Sequence, residues 1–307
     1  MEAPLGVLVM AYGGPNALEE VEPYLLDVRG FRPTPPEVVE EVRARYAAIG
    51  GRSPILEKTE AQARALERAL NRNGRRFLCA VGMRHWRPTI REALARLEGA
   101  GVERAVGLVM APHYSRMSVE LYFERAAEAR SRVEIAPIRQ WHLLPGFIEA
   151  IADRVRSALE RFPREVRAAV PLLFTAHSLP ERILEWGDPY PTQLRASVEA
   201  VLERLGPRAH PFAYQSPGKR GEPWLGPEVR TVLEGLASTG HGQVLLVPIG
   251  FTCEHVEVLY DVDVELRRLA EALAIRLERI EMPNDHPALV EGLARLVRET
   301  AAPQARP

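Results

Sequence analysis

Cysteine and lysine are scarce in this chain, and neither sign of charge dominates. Two cysteines, Cys79 and Cys253, stand among 307 residues, which is too few for the four thiolates of an iron–sulfur cluster within one chain. Both lie in separate apolar stretches, so we expect reduced, buried thiols. The 40 basic and 41 acidic residues nearly cancel, which argues against a nucleic-acid-binding protein because such proteins carry a clear basic excess.

Long apolar runs and phosphate-binding motifs are also absent. No stretch approaches the ~20 apolar residues of a membrane helix, and the N-terminus lacks the basic region of a signal peptide. The turn at residues 13–15 does not have the G-x-G-x-x-G spacing, and the chain contains neither a G-x-x-x-x-G-K-[ST] loop nor a G-x-S-x-G elbow. We therefore expect a cytoplasmic protein without a transmembrane segment that is neither a nucleotide enzyme of these types nor a serine hydrolase.

Short valine- and leucine-rich runs alternate with amphipathic stretches along the chain. Such runs are typical of parallel strands buried on both faces, and the alternation predicts an α/β fold. Strands are predicted at residues 5–11, 77–81, 105–110, 133–136, 170–175, 212–215 and 243–248. Helices are predicted at residues 36–49, 57–73, 89–100, 119–129, 146–162, 192–205, 227–239, 257–273 and 286–300.

This series starts again near residue 140, which predicts two similar α/β halves. Each half should be a parallel sheet flanked by helices, with a cleft between the two. We place the first half at residues 1–140 and the second at 141–285, and the C-terminal helix at 286–302 is predicted to complete the first half. Ligands of open α/β sheets bind outside the carboxyl ends of the strands, so the residues that follow the strands should line the site.

The segment at residues 248–265 leads from a buried strand into a helix and carries a row of carboxylates. Glu257, Asp261 and Glu265 recur every four residues, so an α-helix would place them on one face. Like charges at this spacing repel by roughly a few tenths of a kcal/mol per pair. Such an acidic row could bind a divalent cation or transfer a proton from one carboxylate to the next.

Other strand ends carry imidazole, aromatic and guanidinium groups. His177 lies at a strand end, where an imidazole can be a metal ligand or a base or can simply form a local hydrogen bond. Aromatic rings stack on flat ligands and guanidinium groups pair with carboxylates, so the set favours a flat apolar ligand with peripheral carboxylates. The residues in this set are Tyr12, Tyr46, Trp86, Tyr114, Tyr122, Trp224, Arg29, Arg45 and Arg84.

Eight segments, in this order along the whole chain, resemble those of ferrochelatases, the enzymes that insert ferrous iron into a porphyrin to make haem. Each segment alone is a weak pattern, and their order makes the resemblance specific. The segments are residues 8–15, 45–54, 111–115, 176–180, 187–191, 214–216, 224–227 and 248–265.

The resemblance implies two Rossmann-like, chelatase-type halves with the porphyrin in the cleft. His177 matches the family's active-site histidine, a metal ligand and proton acceptor, and Glu257 matches its partner carboxylate and second catalytic group. Asp261 and Glu265 match the secondary acidic row behind this pair, where a peripheral divalent cation could bind. Fe²⁺ is then a substrate, and no tightly bound cofactor or iron–sulfur cluster is expected. A neutral His177 would accept the pyrrole protons or hand over the iron.

Within the family, Tyr12 matches the tyrosine that ligates the product iron in the monofunctional bacterial branch, the coproporphyrin ferrochelatases. That branch, in the lyase class, converts coproporphyrin III to coproheme III in haem biosynthesis. The resemblance also implies a monomer with porphyrin and Fe²⁺ as substrates and with transient contacts to neighbouring haem-pathway enzymes. The substrate contacts of the branch match Tyr12, Arg29, Arg45, Tyr46, Ser53 and Tyr122.

Three alternatives stay open at this point. The substrate could be protoporphyrin IX, which would give protohaem. The chain could be a cobalt or nickel chelatase for another tetrapyrrole, although the Tyr-Gln-Ser motif at 214–216 and the Trp-Leu-Gly-Pro motif at 224–227 argue against that class. A non-catalytic haem carrier would bind haem and show no turnover with free porphyrin and Fe²⁺.

Overall fold

Two parallel sheets form the framework of the protein. The computed structural model describes residues 3–72, 74, 76–218 and 221–302. In these residues the strands are β1 (Leu5–Ala11), β2 (Phe77–Met83), β3 (Arg104–Val109), β4 (Glu134–Ile138), β5 (Leu172–His177), β6 (Phe212–Gln215), β7 (Gln243–Val247) and β8 (Arg276–Arg279). The strand orders are β2-β1-β3-β4 and β6-β5-β7-β8, and every pairing is parallel. The predicted fold of two similar parallel α/β halves is confirmed.

Helices flank both sheets. They are α1 (Val21–Val28), α2 (Pro36–Ala48), α3 (Ile55–Asn71), α4 (Ile90–Gly99), α5 (Val119–Glu128), α6 (Pro145–Leu159), α7 (Tyr190–Leu205), α8 (Val229–Ser238), α9 (Arg267–Ala272) and α10 (Pro287–Ala301). The stretch predicted as one helix at 257–273 is a π-helix, Glu257–Leu266, followed by α9. Neither α1 nor β8 was predicted from the sequence.

The strands are buried on both faces, which accounts for their continuous apolar sequences. Val7, Leu8 and Val9 of β1 are all fully buried, although neighbouring residues of a strand point to opposite faces. Both faces of the sheet are therefore covered, as expected for parallel strands. One hydrophobic cluster extends through both halves and includes Val7 and Phe174. No helix in the described ranges is both long enough and apolar enough to cross a membrane.

The C-terminal helix joins the two halves. Helix α10 packs against α3 and also against α6. At its crossing with α6 the backbones nearly touch, because a Cβ atom built on Gly146 would lie 2.1 Å from the carbonyl oxygen of Ala288 and 3.2 Å from Cα of Gly292. The assignment of residues 286–302 to the first half and the boundary at residue 140 stay predictions, since α10 contacts elements on both sides of that boundary.

Gly146→Ala should destabilise the protein. Its Cβ would meet the backbone of α10 rather than a flexible side chain, so the two helices must separate, and overpacking of this kind costs about 1–3 kcal/mol. Urea unfolding followed by circular dichroism measures the change.

Gly235→Ala is the matched control, because Gly235 lies in α8 with no heavy atom within 4 Å of its added Cβ. It should be neutral or stabilising by about 0.5–1 kcal/mol, since alanine favours a helix over glycine. Equal unfolding midpoints for Gly146→Ala and the wild type would contradict the close helix crossing.

Candidate active site at the strand ends

A histidine–glutamate pair lies at the centre of the site. His177 is the last residue of β5, and Glu257 is the first residue of the π-helix. Nδ1 of His177 lies 2.8 Å from Oε2 of Glu257, and each side chain is about one-third exposed. An ionised carboxylate can only accept, so Nδ1 carries the proton and donates it. Nε2 is then the ring nitrogen left for a ligand or a second proton.

Each member of the pair favours the charged form of the other. Burial alone would raise the pKa of Glu257, but the charge and the hydrogen bond of His177 outweigh it and lower that pKa to about 2. Burial opposes a charged His177, yet Glu257 raises the pKa of the imidazole above its ordinary value. A raised pKa extends the pH range in which the ring keeps its second proton, whereas proton acceptance at Nε2 requires the neutral ring.

Behind the pair, the π-helix carries the acidic row. Its hydrogen bonds run five residues apart rather than four, so the turn is wider than in the predicted α-helix. Asp261 accepts a hydrogen bond of 2.5 Å from Oγ of Ser216 and lies 3.6 Å from the guanidinium of Arg45. Burial raises the pKa of Asp261 to about 6, with Ser216 and Arg45 opposing the rise and Glu257 and Glu265 adding to it. Asp261 can therefore titrate near neutral pH.

Tyr12 follows β1 in the other half and is 40% exposed. Its ring centroid lies 4.7 Å from that of His85. The guanidinium carbon of Arg84 lies 5.9 Å from the ring of Tyr12 and 5.5 Å from that of Tyr122. Desolvation of the hydroxyl raises the pKa of Tyr12 to about 12, with Arg84 opposing and Glu257 contributing. The influence of Glu257 places Tyr12 within electrostatic reach of the pair.

The segment at residues 46–53 packs against the loop that follows β1. Tyr46 is buried and meets the edge of Tyr24, with ring centroids 6.5 Å apart. The amide of Ser53 donates to the carbonyl of Pro15 at 2.8 Å. A Cβ atom on Gly14 would lie 2.6 Å from the side chain of Ser53, so only glycine allows this approach. The predicted substrate residues Tyr46 and Ser53 are thus fixed against the loop that carries Tyr12.

The two predicted substrate arginines differ in their surroundings. Arg45 on α2 donates to Glu41 at 3.0 Å, lies beside Asp261, and places its guanidinium carbon 5.3 Å from the ring of Tyr260. Arg29 is exposed at the end of α1 and has no ion pair among the described residues. Arg29 can therefore meet a ligand carboxylate directly, whereas Arg45 has to exchange partners.

One feature of the site was missed from the sequence, because no role was predicted for His85. Nδ1 of His85 lies 2.8 Å from Oδ1 of Asp27, a residue of the unpredicted helix α1. Burial and the nearby Arg84 lower the pKa of His85 to about 4, although Asp27 opposes the change. The first half therefore also presents a histidine–carboxylate pair, one that stays neutral on the ring at pH 7.

The carboxylates of the site do not converge on a single point. In the described ranges, no three His, Cys, Asp or Glu side chains are grouped closely enough to hold a metal ion. The site therefore offers one tight pair and a row that leads away from it.

The two parallel α/β halves have the fold of known chelatases. The structure titled SirB from Bacillus subtilis with Fe³⁺ matches 97% of this chain and 96% of its own, with a TM-score of 0.59 at 12% identity. CbiX, titled the terminal enzyme for biosynthesis of siroheme in denitrifying bacteria, matches 97% and 100% with a TM-score of 0.53 at 13% identity. At these identities the likeness concerns the fold alone.

Sequence relatives define the family. The family model described as Ferrochelatase matches residues 4–301. A protein named ferrochelatase from Herpetosiphon aurantiacus is 42% identical over 302 residues, covering 97% of this chain and 99% of the relative. A protein named coproporphyrin III ferrochelatase from Geobacillus kaustophilus is 39% identical, with 95% and 94% covered. The chain belongs to the ferrochelatase family.

Glu257→Gln should lower the pKa of His177. The carboxylate is the main group that holds the proton on the ring, and burial, which remains, favours the neutral form. We expect a fall of about one pH unit or more, measured by NMR titration of the imidazole. Glu265→Gln is the control, because Glu265 does not contribute to the pKa of His177. Identical titration curves for both variants would contradict the pairing.

Asp261→Asn should stabilise the protein at alkaline pH. The folded pKa of about 6 exceeds the unfolded value of about 3.9, so ionisation of Asp261 removes stability as the pH rises between these values. At pH 8 the free energy of unfolding of the variant should exceed that of the wild type by about 1–2 kcal/mol, and this difference should shrink near pH 4.

Asp263→Asn is the control for this measurement. Asp263 accepts hydrogen bonds of 2.9 and 2.8 Å from Arg279, so its charge is compensated, and removing it should lower stability at pH 8. Urea unfolding at both pH values tests the pair of variants. A loss of stability in Asp261→Asn at pH 8 would show that its charge is not costly.

Proposed function

We propose that this ferrochelatase inserts Fe²⁺ into coproporphyrin III and gives coproheme III in haem biosynthesis. The observation that carries the proposal is the 2.8 Å contact of His177 and Glu257. The pair stands at a strand end within electrostatic reach of Tyr12 in the other half. It provides one nitrogen and one carboxylate oxygen, a ligand set that Fe²⁺ accepts.

The chemistry requires two protons to leave as the metal enters. A free porphyrin is flat and carries two pyrrole N–H groups, so the ring must bend before Fe²⁺ can reach its nitrogens. We assign proton acceptance to Nε2 of His177 and charge compensation to Glu257. Asp261, with its pKa of about 6, can take a proton from this pair and release it near neutral pH. Glu265 continues the row toward solvent.

Tyr12, Tyr46 and Tyr122 supply the aromatic contacts of the proposed porphyrin site. Tyr12 lies on the opposite side from His177 in this proposal and meets the iron after insertion. The phenol is neutral at pH 7, since its pKa is about 12, so iron ligation as phenolate would release one further proton.

The propionates of the substrate are assigned to Arg29, Arg45 and Ser53. Guanidinium groups bind carboxylates through two parallel hydrogen bonds, and coproporphyrin III has four propionates to offer. Arg29 is exposed at the end of α1, where it can bind a propionate at the rim. Arg45 would have to give up its ion pair with Asp261 in order to bind a propionate.

The relatives favour coproporphyrin over protoporphyrin. The Geobacillus kaustophilus protein and a 39% identical protein of Listeria monocytogenes are both named coproporphyrin III ferrochelatase. The Herpetosiphon aurantiacus relative is named only as a ferrochelatase. Protoporphyrin IX is therefore the competing substrate in the test below.

We further propose that the enzyme holds no resident cofactor and acts as a monomer, with only transient contact to neighbouring haem-pathway enzymes. Cys79 and Cys253 lie in different halves, and burial raises the pKa of the Cys253 thiol to about 12, which disfavours the thiolate that a cluster needs. A divalent cation at Asp261 and Glu265 would bind peripherally and reversibly.

An anaerobic assay with Fe²⁺ and either porphyrin tests the substrate. We expect kcat/KM for coproporphyrin III to exceed that for protoporphyrin IX by at least about tenfold, because each added propionate can pair with an arginine for about 1.4 kcal/mol or more. Absorbance of the product reports turnover.

His177→Ala serves as the control for uncatalysed insertion. It should retain porphyrin binding, followed by fluorescence quenching, and lose metal insertion. A preference for protoporphyrin IX would reverse the substrate assignment, and near-normal turnover by His177→Ala would remove the histidine from the mechanism.

A further inference from the structure

Two buried side chains hold the backbone on either side of the His177–Glu257 contact. Oη of Tyr190 donates to the carbonyl oxygen of His177 at 2.9 Å. Nε2 of Gln215 donates to the carbonyl oxygen of Glu257 at 3.1 Å. Tyr190 is 7% exposed and Gln215 is 2% exposed, so water does not readily replace either donor. Both partners of the pair thus have their own carbonyl fixed by one specific side chain.

Tyr190 is held in turn by the motif at residues 187–191. Oδ1 of Asp188 accepts from the amide of Tyr190 at 3.0 Å. Oδ2 of the same carboxylate accepts from Oγ of Ser115 at 2.9 Å and from the amide of Arg116 at 2.8 Å. Ser115 and Arg116 belong to the loop that follows β3 in the first half. Asp188 therefore connects a strand-end loop of one half to the residue that fixes His177 in the other.

Gln215 is held by the strand beside it. Oγ1 of Thr175 donates to Oε1 of Gln215 at 2.7 Å, which fixes the amide so that its NH₂ group points to Glu257. The next residue, Ser216, has a left-handed φ of 55° and donates to Asp261. Two consecutive residues of β6 and its loop thus bind the π-helix one turn apart.

We infer that Tyr190 and Gln215 are positioning residues that set the separation and orientation of His177 and Glu257, with Asp188 holding Tyr190 in place. The inference rests on the proposed function, in which this pair accepts the pyrrole protons. It gives a role to the motifs at 187–191 and 214–216, which the reaction itself does not use.

The side chains of His177 and Glu257 have little freedom to compensate for a shift of their backbone. An imidazole turns about two bonds from its Cα, so a backbone shift at residue 177 moves Nε2 by a comparable distance. Misplacement of a reacting group by about 1 Å can cost about a hundredfold in rate. Loss of a positioning bond should therefore slow proton transfer and leave porphyrin binding unchanged, because neither Tyr190 nor Gln215 belongs to the proposed porphyrin contacts.

Tyr190→Phe tests the inference with the loss of one oxygen atom. We expect kcat to fall about five- to tenfold, the effect of losing one hydrogen bond in the transition state. The KM for porphyrin, and its affinity by fluorescence quenching, should stay within about twofold of the wild type. Gln215→Met, which keeps the length of the side chain, should give the same division between kcat and KM and serves as the second variant.

Thr300→Val is the matched control, because its hydroxyl donates to the carbonyl oxygen of Leu296 within α10 rather than to the backbone of the pair; its kcat should equal that of the wild type. Wild-type enzyme without turnover on either porphyrin would reject the proposed function itself. With an active wild type, the inference is overturned if both positioning variants keep the kcat of the control. It is also overturned if they lose porphyrin affinity in proportion to kcat, as a general structural defect would cause.

Discussion

The charged hydrogen bond from His177 to Glu257 is the constraint around which the site is arranged. It joins the last residue of β5 to the first residue of the π-helix. Each element brings its own support to that contact, from Tyr190 on one side and Gln215 on the other. The negative charge of Glu257 raises the pKa of Tyr12 and the pKa of Asp261. Protonation of the pair therefore changes the electrostatic environment of both residues.

The framework of this fold could be predicted from the sequence, because parallel strands buried on both faces need continuous apolar runs. Edge strand β8 could not be predicted in this way. A single leucine lies among Arg276, Glu278 and Arg279, and the strand pairs on one side only. The π-helix was missed for another reason. Carboxylates four apart suit an α-helix equally well, and the contacts from β6 that hold this helix come from residues about forty positions away.

For the site, motif order predicted single candidate residues and the partnership of His177 with Glu257, but it missed the pairs formed by Arg45 and by His85. His177 and Tyr12 were predicted at strand ends, where topology alone brings side chains together. The partnership of Arg45 with Asp261 links positions more than two hundred residues apart, and no local pattern predicts it. The acidic row looked uncompensated for that reason. In the folded protein a guanidinium from α2 offsets part of its repulsion.

The repeated strand order has a consequence for symmetry. Strand β1 is flanked by β2 and β3 in one sheet, and β5 is flanked by β6 and β7 in the other. Tyr12 directly follows β1 and His177 ends β5, so both occupy equivalent positions of the same topology. A planar macrocycle is itself nearly identical from above and below. In the proposed reaction, these two equivalent positions supply one residue for each face of the macrocycle, and the different side chains at the two positions make those faces chemically distinct.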